Sequence, residues 1–233
     1  MRKLISFTLY GQDPKYIVGM HKNIALQKQF YPDWEIIIYH DDSLGDSVLD
    51  GLKPDATLVD VSGCGVLASM WRFFAHDEDD VERFIVRDAD SRLSQREADA
   101  VQKWTEGGKW LHIMRDHLHH GYPMNGGMWG MQPHSSVNLR DLCLKYQRGK
   151  VDDPTHRDNW WMIDMNFLRD EIYPVANTEI CQIHAARDYM HRVTWVNEDW
   201  AEDFPTPRNE DRNFVGEQFD ENEQRGYQYQ ELQ

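Results

Sequence analysis

The chain has 233 residues, 40% of them hydrophobic, with 9 Trp, 10 Tyr and 9 Phe, which is long enough for one substantial core and too aromatic for a disordered polymer. The formal charge of −15 is uneven: from Asn197 to the end there are 11 acidic and 3 basic residues, so the preceding 196 carry only −7. No basic stripe points to nucleic acid, the three cysteines form no C-x-x-C, and no apolar run reaches membrane-spanning length. The start has no signal-peptide pattern, so the expectation is a soluble, cytoplasmic protein.

Leu4 to Tyr10 reads as the first strand, closed by Gly11, and Pro14 opens a helix reaching Phe30, with Tyr16, Met20 and Ile24 on one face. Pro32 stops that helix. A second buried strand follows in Trp34 to His40, through Ile36-Ile37-Ile38-Tyr39, and ends on Asp41 and Asp42. Thr57 to Val61 is a third strand. Strand, helix and strand at this spacing predict βαβ units and a parallel sheet. Gly63 and Gly65 mark a turn, and Val66 to Ala75 reads as a helix carrying Trp71-Arg72-Phe73. Arg72 is either a packed arginine with a solvated head or a phosphate clamp.

The most informative stretch is Arg83-Phe84-Ile85-Val86-Arg87-Asp88-Ala89-Asp90-Ser91-Arg92. A buried strand ends on two aspartates one residue apart, flanked by Arg87 and Arg92. In an extended chain, side chains at i and i+2 leave on the same side, so Asp88 and Asp90 can converge. Two hard oxygen ligands at the carboxyl edge of an α/β sheet suit Mg²⁺ or Mn²⁺ with a phosphate-bearing substrate. Ser94-Gln95-Arg96-Glu97 reads as a capping box for the next helix, which ends at Gly107-Gly108.

Trp110 to Met114 is another strand, leading into Arg115-Asp116-His117-Leu118-His119-His120. Three readings stay open for that cluster: a zinc site, the lining of a polar sugar-binding cleft, or an exposed loop. Pro123 to Met131 is glycine-dense without a dinucleotide or P-loop spacing, and its Gly126-Gly127 pair permits a close backbone approach. Helices are expected over Asn138 to Arg148 and Trp160 to Glu171, the latter capped by Asp158 or Asn159. Pro174 terminates the turn that follows, Ile180 to His184 is a short strand, and the acidic remainder from Asn197 is an extended wrap or tail.

In this order, the segments Val86 to Arg92, Ile113 to His117, Gly126 to Gly130, Asp164 to Pro174, Phe204 to Pro207 and Phe214 to Gly216 resemble the GT-A fold glycosyltransferases, chiefly small viral and bacterial sugar transferases. Many relatives have Asp-Gln where this chain has Asp164-Met165. The resemblance implies a single α/β catalytic domain over residues 1–196, with a mostly parallel sheet flanked by helices, and an acidic extension over 197–233. It implies a nucleotide-diphosphate sugar donor, a glycan or other hydroxyl acceptor, and Mn²⁺ or Mg²⁺ held by Asp88 and Asp90, with His184 as a further ligand. Phe7, Leu9, Tyr10, Asp41 and Asp42 would face the base and ribose, Arg72 the diphosphate, Gly127 and Trp129 would also bind the nucleotide sugar, and Asp164 would serve as the base for the acceptor hydroxyl. Two rivals share these residues. One is a metal-dependent phosphoesterase or nucleotidyltransferase, and the other is a carbohydrate-binding module with Trp129 and the histidines stacked on sugar.

Overall fold

The structure is a computed structural model that describes residues 1–150, 161–186 and 199–226. Its centre is a seven-stranded sheet of β1 (Arg2–Leu9), β2 (Glu35–His40), β3 (Thr57–Asp60), β4 (Val81–Val86), β5 (Leu111–Arg115), β6 (Trp129–Met131) and β7 (Cys181–Ala185). The spatial order is β3-β2-β1-β4-β6-β5-β7. Only β6 runs antiparallel to its neighbours; the other pairings are parallel. The α/β class with a mostly parallel sheet is therefore present, and β4 is its middle strand.

Helices cover both faces, as a mostly parallel sheet requires. The face of Ile5, Phe7, Leu9, Ile36, Ile38 and Ile85 packs on α1 (Pro14–Phe30), α2 (Asp46–Leu52) and α3 (Gln95–Gly107), through Met20, Ile24, Leu52, Val101 and Trp104. The face of Leu4, Ile37, Tyr39, Phe84, Val86, Ile113 and Trp129 packs on a 3-10 helix (Ala68–Asp77), α4 (Leu139–Lys150) and α5 (Ile163–Phe167), through Met70, Phe73, Cys143 and Phe167. Odd and even positions of β1, β2 and β4 thus divide between two cores, following the two-residue period of a strand.

Three local expectations change. The segment expected as a helix from Val66 is a 3-10 helix in which Arg72 looks outside the helix for partners: its N–H donates to Thr8 Oγ1 at 3.0 Å and its carbonyl accepts from Ser6 Oγ at 2.6 Å. Where one helix was expected through Glu171, α5 gives way to a wide turn over Leu168–Ile172 and a 3-10 turn over Tyr173–Val175 that contains Pro174. The cap assigned to Asp158 or Asn159 lies outside the described residues, as do Trp160 and the end of the acidic tail. At α3, Ser94 does cap the Glu97 N–H, but Glu97 is buried and accepts from Arg87 Nε at 3.2 Å and Tyr31 Oη at 3.0 Å instead of closing a capping box.

Residues 199–226 form no long element. They run across the α3 and β5 region, where Phe204 and Val215 bury against Ala100, Met114 and Met128.

Candidate active site

The parallel strands β1, β2 and β4 present their carboxyl ends to the same edge, and a cleft opens there between Thr8, Leu9, Tyr10, Tyr16, Ser69, Arg72 and the Asp88–Asp90 turn. Arg72 is its structural pivot. The Ser6 and Thr8 hydroxyls hold its backbone, and its buried guanidinium forms ion pairs with Asp88 Oδ1 through Nη1 and with Asp164 Oδ2 through Nη2, the latter at 3.0 Å. The two hydroxyls inside an apolar strand are thereby explained: they fix the helix that carries the arginine.

After Val86 the chain leaves the sheet and turns, with Ser91 N–H and Oγ donating to the Asp88 carbonyl at 3.1 and 2.8 Å. Asp88 and Asp90 are therefore held on a turn and not along an extended strand, and both line the cleft. Asp88 faces Arg72, while the buried Asp90 accepts from Lys15 Nζ at 2.7 Å. The turn is clamped from α1. Asn23 donates to the carbonyls of Ala89 and Ser91 and accepts from Leu93 N–H, so this buried amide is fully used. The Phe219 N–H donates to the Asp90 carbonyl at 2.9 Å, tying residues 199–226 to the same turn.

The paired glycines meet this site on its other wall. A side chain at Gly127 would overlap the Asp88 carboxylate and lie 2.9 Å from the Asp88 backbone nitrogen; one at Gly126 would overlap Asp164 and lie 2.6 Å from Arg72 Nη2. Only glycine allows the turn before β6 to pack this close to Asp88, Arg72 and Asp164. Asp164 sits in the first turn of α5 and also accepts from the Met165 N–H at 2.8 Å. Burial pushes its carboxyl above the ordinary range, with Arg72 and the Met165 N–H pulling the other way. Burial, then the neighbouring Asp88, push Asp90 up against the pull of Lys15. Three carboxylates share two cations.

Several expected site residues lie elsewhere. Phe7 is fully buried in the α1 and α3 core, because its parity on β1 is opposite to that of Ser6 and Thr8. Trp129 is also fully buried, edge-on to Phe73 and Phe84, with its indole N–H donating to the Gly126 carbonyl, so it presents no ring to a sugar. Leu9 floors the cleft and Tyr10 stands at its mouth, about half exposed, edge-on to Trp71. Asp41 and Asp42 are one strand away. Asp41 accepts from the Ser43 N–H, the Asp42 N–H donates to Ser62 Oγ, and both serve the loop after β2.

His184 is not beside the acids. It lies on β7, three strand spacings from β4, roughly 14 Å, fully buried, with Nδ1 2.8 Å from His112 Nε2 and its ring near Phe204. The flanking arginines are engaged too: Arg87 points into the α3 core to Glu97, and Arg92 reaches Glu223. Most of the Asp116 to His120 segment is buried, with His119 exposed, and among the described residues it forms no group of three metal-type side chains. Asp116 is fully buried and accepts from Arg96 Nε and Nη2, from Arg208 Nη2 and from the Val215 N–H, while His117 stacks on Phe214 at 4.4 Å. This hub binds residues 199–226 to the body. Lys15, Tyr16, Ser6 and Thr8 are participants that sequence reasoning missed; for Lys15 the hint was a lysine in the first turn of a helix that leaves the first strand.

A divalent ion fits this cleft by its donor set. Asp88 and Asp90 supply hard carboxylate oxygens, the Asp88 side chain stays about a third exposed although Gly127 packs against one side of it, and positive charge is one short of the carboxylates. Among the described residues no group of three or more metal-type side chains gathers. The set is two carboxylates, the pattern of an ion that takes its remaining ligands from phosphate and water. No described helix is long and apolar enough to cross a membrane.

No family model and no curated protein matches the chain. Solved structures do. The mannosyltransferase PcManGT from Pyrobaculum calidifontis, in complex with GDP-Man and Mn²⁺, is 16% identical with a TM-score of 0.41 over 56% of this chain and 44% of its own. S. aureus TarS 1-349, in two structures of which one is in complex with UDP, is 16% identical with a TM-score of 0.39 over 49% of this chain and 35% of its own. The chain spans less than half the length of each. At that level the fold rests on the strand order above, and the chemistry on the cleft.

Proposed function

We propose that this chain is a glycosyltransferase that moves a hexosyl or deoxyhexosyl unit from a nucleoside-diphosphate sugar to a hydroxyl of a glycan acceptor, with Mn²⁺ or Mg²⁺ held by Asp88 and Asp90. One observation carries the reading: a buried arginine joins the acid turn of the middle strand to a buried carboxylate on α5, across a glycine pair that has room for no side chain. The arrangement provides a phosphate-facing end and a base-facing end on one cation.

The roles follow from that layout. The Arg72 Nε–H is buried with no partner among the described residues, so a donor diphosphate oxygen would satisfy it, and the fixed backbone of Arg72 would hold the phosphate in place. A bound divalent ion would supply Lewis-acid stabilisation of the negative charge on the departing nucleoside diphosphate. As the bond from the anomeric carbon to that diphosphate breaks, the sugar passes through an oxocarbenium-like state. The acceptor oxygen forms the new bond and gives its proton to Asp164, whose burial favours the protonated product of that step. Tyr10 and Tyr16 would wall the nucleoside end. The carbohydrate-module alternative loses its stacking ring, because Trp129 is in the core.

A thermal-shift screen of nucleotide sugars with and without Mn²⁺ tests the reading. One donor class is expected to raise the melting temperature in a metal-dependent way, by mass action on the folded state, and Asp88→Asn to abolish that shift. No shift with any nucleotide sugar in Mn²⁺ overturns the proposal. Consumption of donor at full rate without an acceptor would instead favour the phosphoesterase.

A further inference from the structure

We infer that Lys15 is a second diphosphate-binding cation of this cleft, parked on Asp90 until a metal ion takes that carboxylate. The inference rests on the function proposed above and extends it to a residue the reaction has not yet used.

The two cations of the site differ in mobility. Arg72 is buried, and its backbone is tied to Ser6 and Thr8. Lys15 stands in the first turn of α1, where its backbone N–H is fixed by Asp13 Oδ1 at 3.0 Å behind Pro14, but its side chain is about a quarter exposed. Its Nζ reaches Asp90 Oδ2 at 2.7 Å on a flexible four-carbon stem and lies 4.7 Å from the centre of the Tyr16 ring. Tyr16 and Asp90 both line the cleft, so the ammonium stands at its wall.

Asp90 is the immobile partner. It is 3% exposed, and its turn is held by Asn23 on both sides and by the Phe219 N–H. Were Asp88 and Asp90 to hold a divalent ion, Asp90 would no longer neutralise Lys15, and Lys15 is the member able to move. A half-buried ammonium that has lost its carboxylate needs another anion. A donor diphosphate bound in the same cleft would supply one. Arg87 and Arg92 are already committed to Glu97 and Glu223, so neither offers an alternative. Lys15 thus couples the two ligands: with the metal absent it guards Asp90, and with the metal present it binds donor.

The exchange separates Lys15 from a fixed positive charge. Mn²⁺ binding alone, and UDP, GDP, ADP and dTDP binding in Mn²⁺ or in EDTA, would be measured by titration calorimetry on wild type, Lys15→Met and Lys15→Gln, after circular dichroism confirms each fold. In Mn²⁺, both variants are expected to bind the accepted nucleotide about tenfold or more weakly, the loss of a charge-assisted contact. In EDTA they are expected to match wild type within about twofold, because Lys15 is then occupied by Asp90. Mn²⁺ alone should bind the variants about fivefold more tightly, since its competitor is gone. An equal loss in Mn²⁺ and in EDTA, no loss in Mn²⁺, or weaker Mn²⁺ binding overturns the inference while leaving the proposed function standing. A wild-type protein that binds neither Mn²⁺ nor any of these nucleotides overturns both.

Discussion

Replacing Asp164 with asparagine separates chemistry from architecture. The carboxylate has two jobs in the structure: Oδ1 accepts from the Met165 N–H at 2.8 Å and Oδ2 from Arg72 Nη2 at 3.0 Å. An amide keeps the size but only one acceptor. With its oxygen on Met165, its NH₂ faces the guanidinium, donor against donor; flipped, it loses Met165. Breaking a buried ion pair typically costs about 3–5 kcal/mol. Arg72 still keeps Asp88, so the cost here should be nearer that of one charge-assisted hydrogen bond, about 1.5–3 kcal/mol. For a chain of this length that lowers Tm by roughly 3–12 °C. The rate of sugar transfer should fall much further, by about 10²–10⁴-fold, the range for loss of a general base. Donor hydrolysis by water should persist, since departure of the diphosphate does not use this carboxylate. Melting by circular dichroism, nucleotide affinity by calorimetry and transfer by release of nucleoside diphosphate would be measured on one preparation, well below the variant's Tm. Full transfer activity in Asp164→Asn would refute the base assignment, leaving only a structural tie to Arg72.

Gly127→Ala should force the acid turn off the Asp88 backbone, costing about 1–3 kcal/mol and abolishing the Mn²⁺-dependent thermal shift; an unchanged shift would show that the turn tolerates movement. Asp116→Asn should behave in the opposite way to an active-site change. It leaves Arg96 and Arg208 buried with a neutral partner, so a loss of about 3–5 kcal/mol in urea unfolding is expected with near-normal turnover in the folded fraction, and lost turnover at full stability would give Asp116 a catalytic part. Ser6→Ala should remove one backbone tie of Arg72, costing about 1 kcal/mol and weakening nucleotide binding; normal nucleotide affinity would mean that the tie is dispensable. Burial holds the pKa of His120 down at about 3 and that of His184 at about 4, so both are neutral in the fold, whereas an unfolded histidine titrates at about 6.5. The unfolded chain therefore binds extra protons below about pH 6.5, and stability should fall as pH drops towards about 4, by up to about 1.4 kcal/mol per pH unit for each histidine. His120→Gln and His184→Gln should each flatten that slope in urea unfolding between pH 5 and 7.5; an unaltered slope would place the protons elsewhere.

Local pattern was enough for much of this molecule. The apolar runs ending at Leu9, His40 and Val86 are strands, Pro14 opens a helix, Ser94 caps one, and the acids at Asp88 and Asp90 stand at a strand's carboxyl end. Each of these depends on residues within a few positions of one another, as periodicity, capping and turn chemistry do. The Gly126-Gly127 pair also announced a close approach, although not what approaches.

Tertiary structure decided which face each residue occupies and which groups meet. In a sheet buried on both faces the strand period sorts side chains into two sets but does not say which set faces a cleft. Phe7 and Trp129 therefore went to the core, and Arg87, one residue from Asp88, went to Glu97 on the opposite face. The insertion of β6 between β4 and β5 is a choice of pairing partner, and it places the turn that carries Gly127 against Asp88. His184 sits at a strand end as the resemblance implied, yet that strand is the far edge of the sheet, so the histidine pairs with His112 instead of a metal turn. Lys15 on Asp90, Ser6 and Thr8 on Arg72, and Asp116 under Arg96 and Arg208 are contacts between elements distant in the chain. Nothing local marks such residues, because an ion pair or hydrogen bond depends on separation in space, and packing alone sets that.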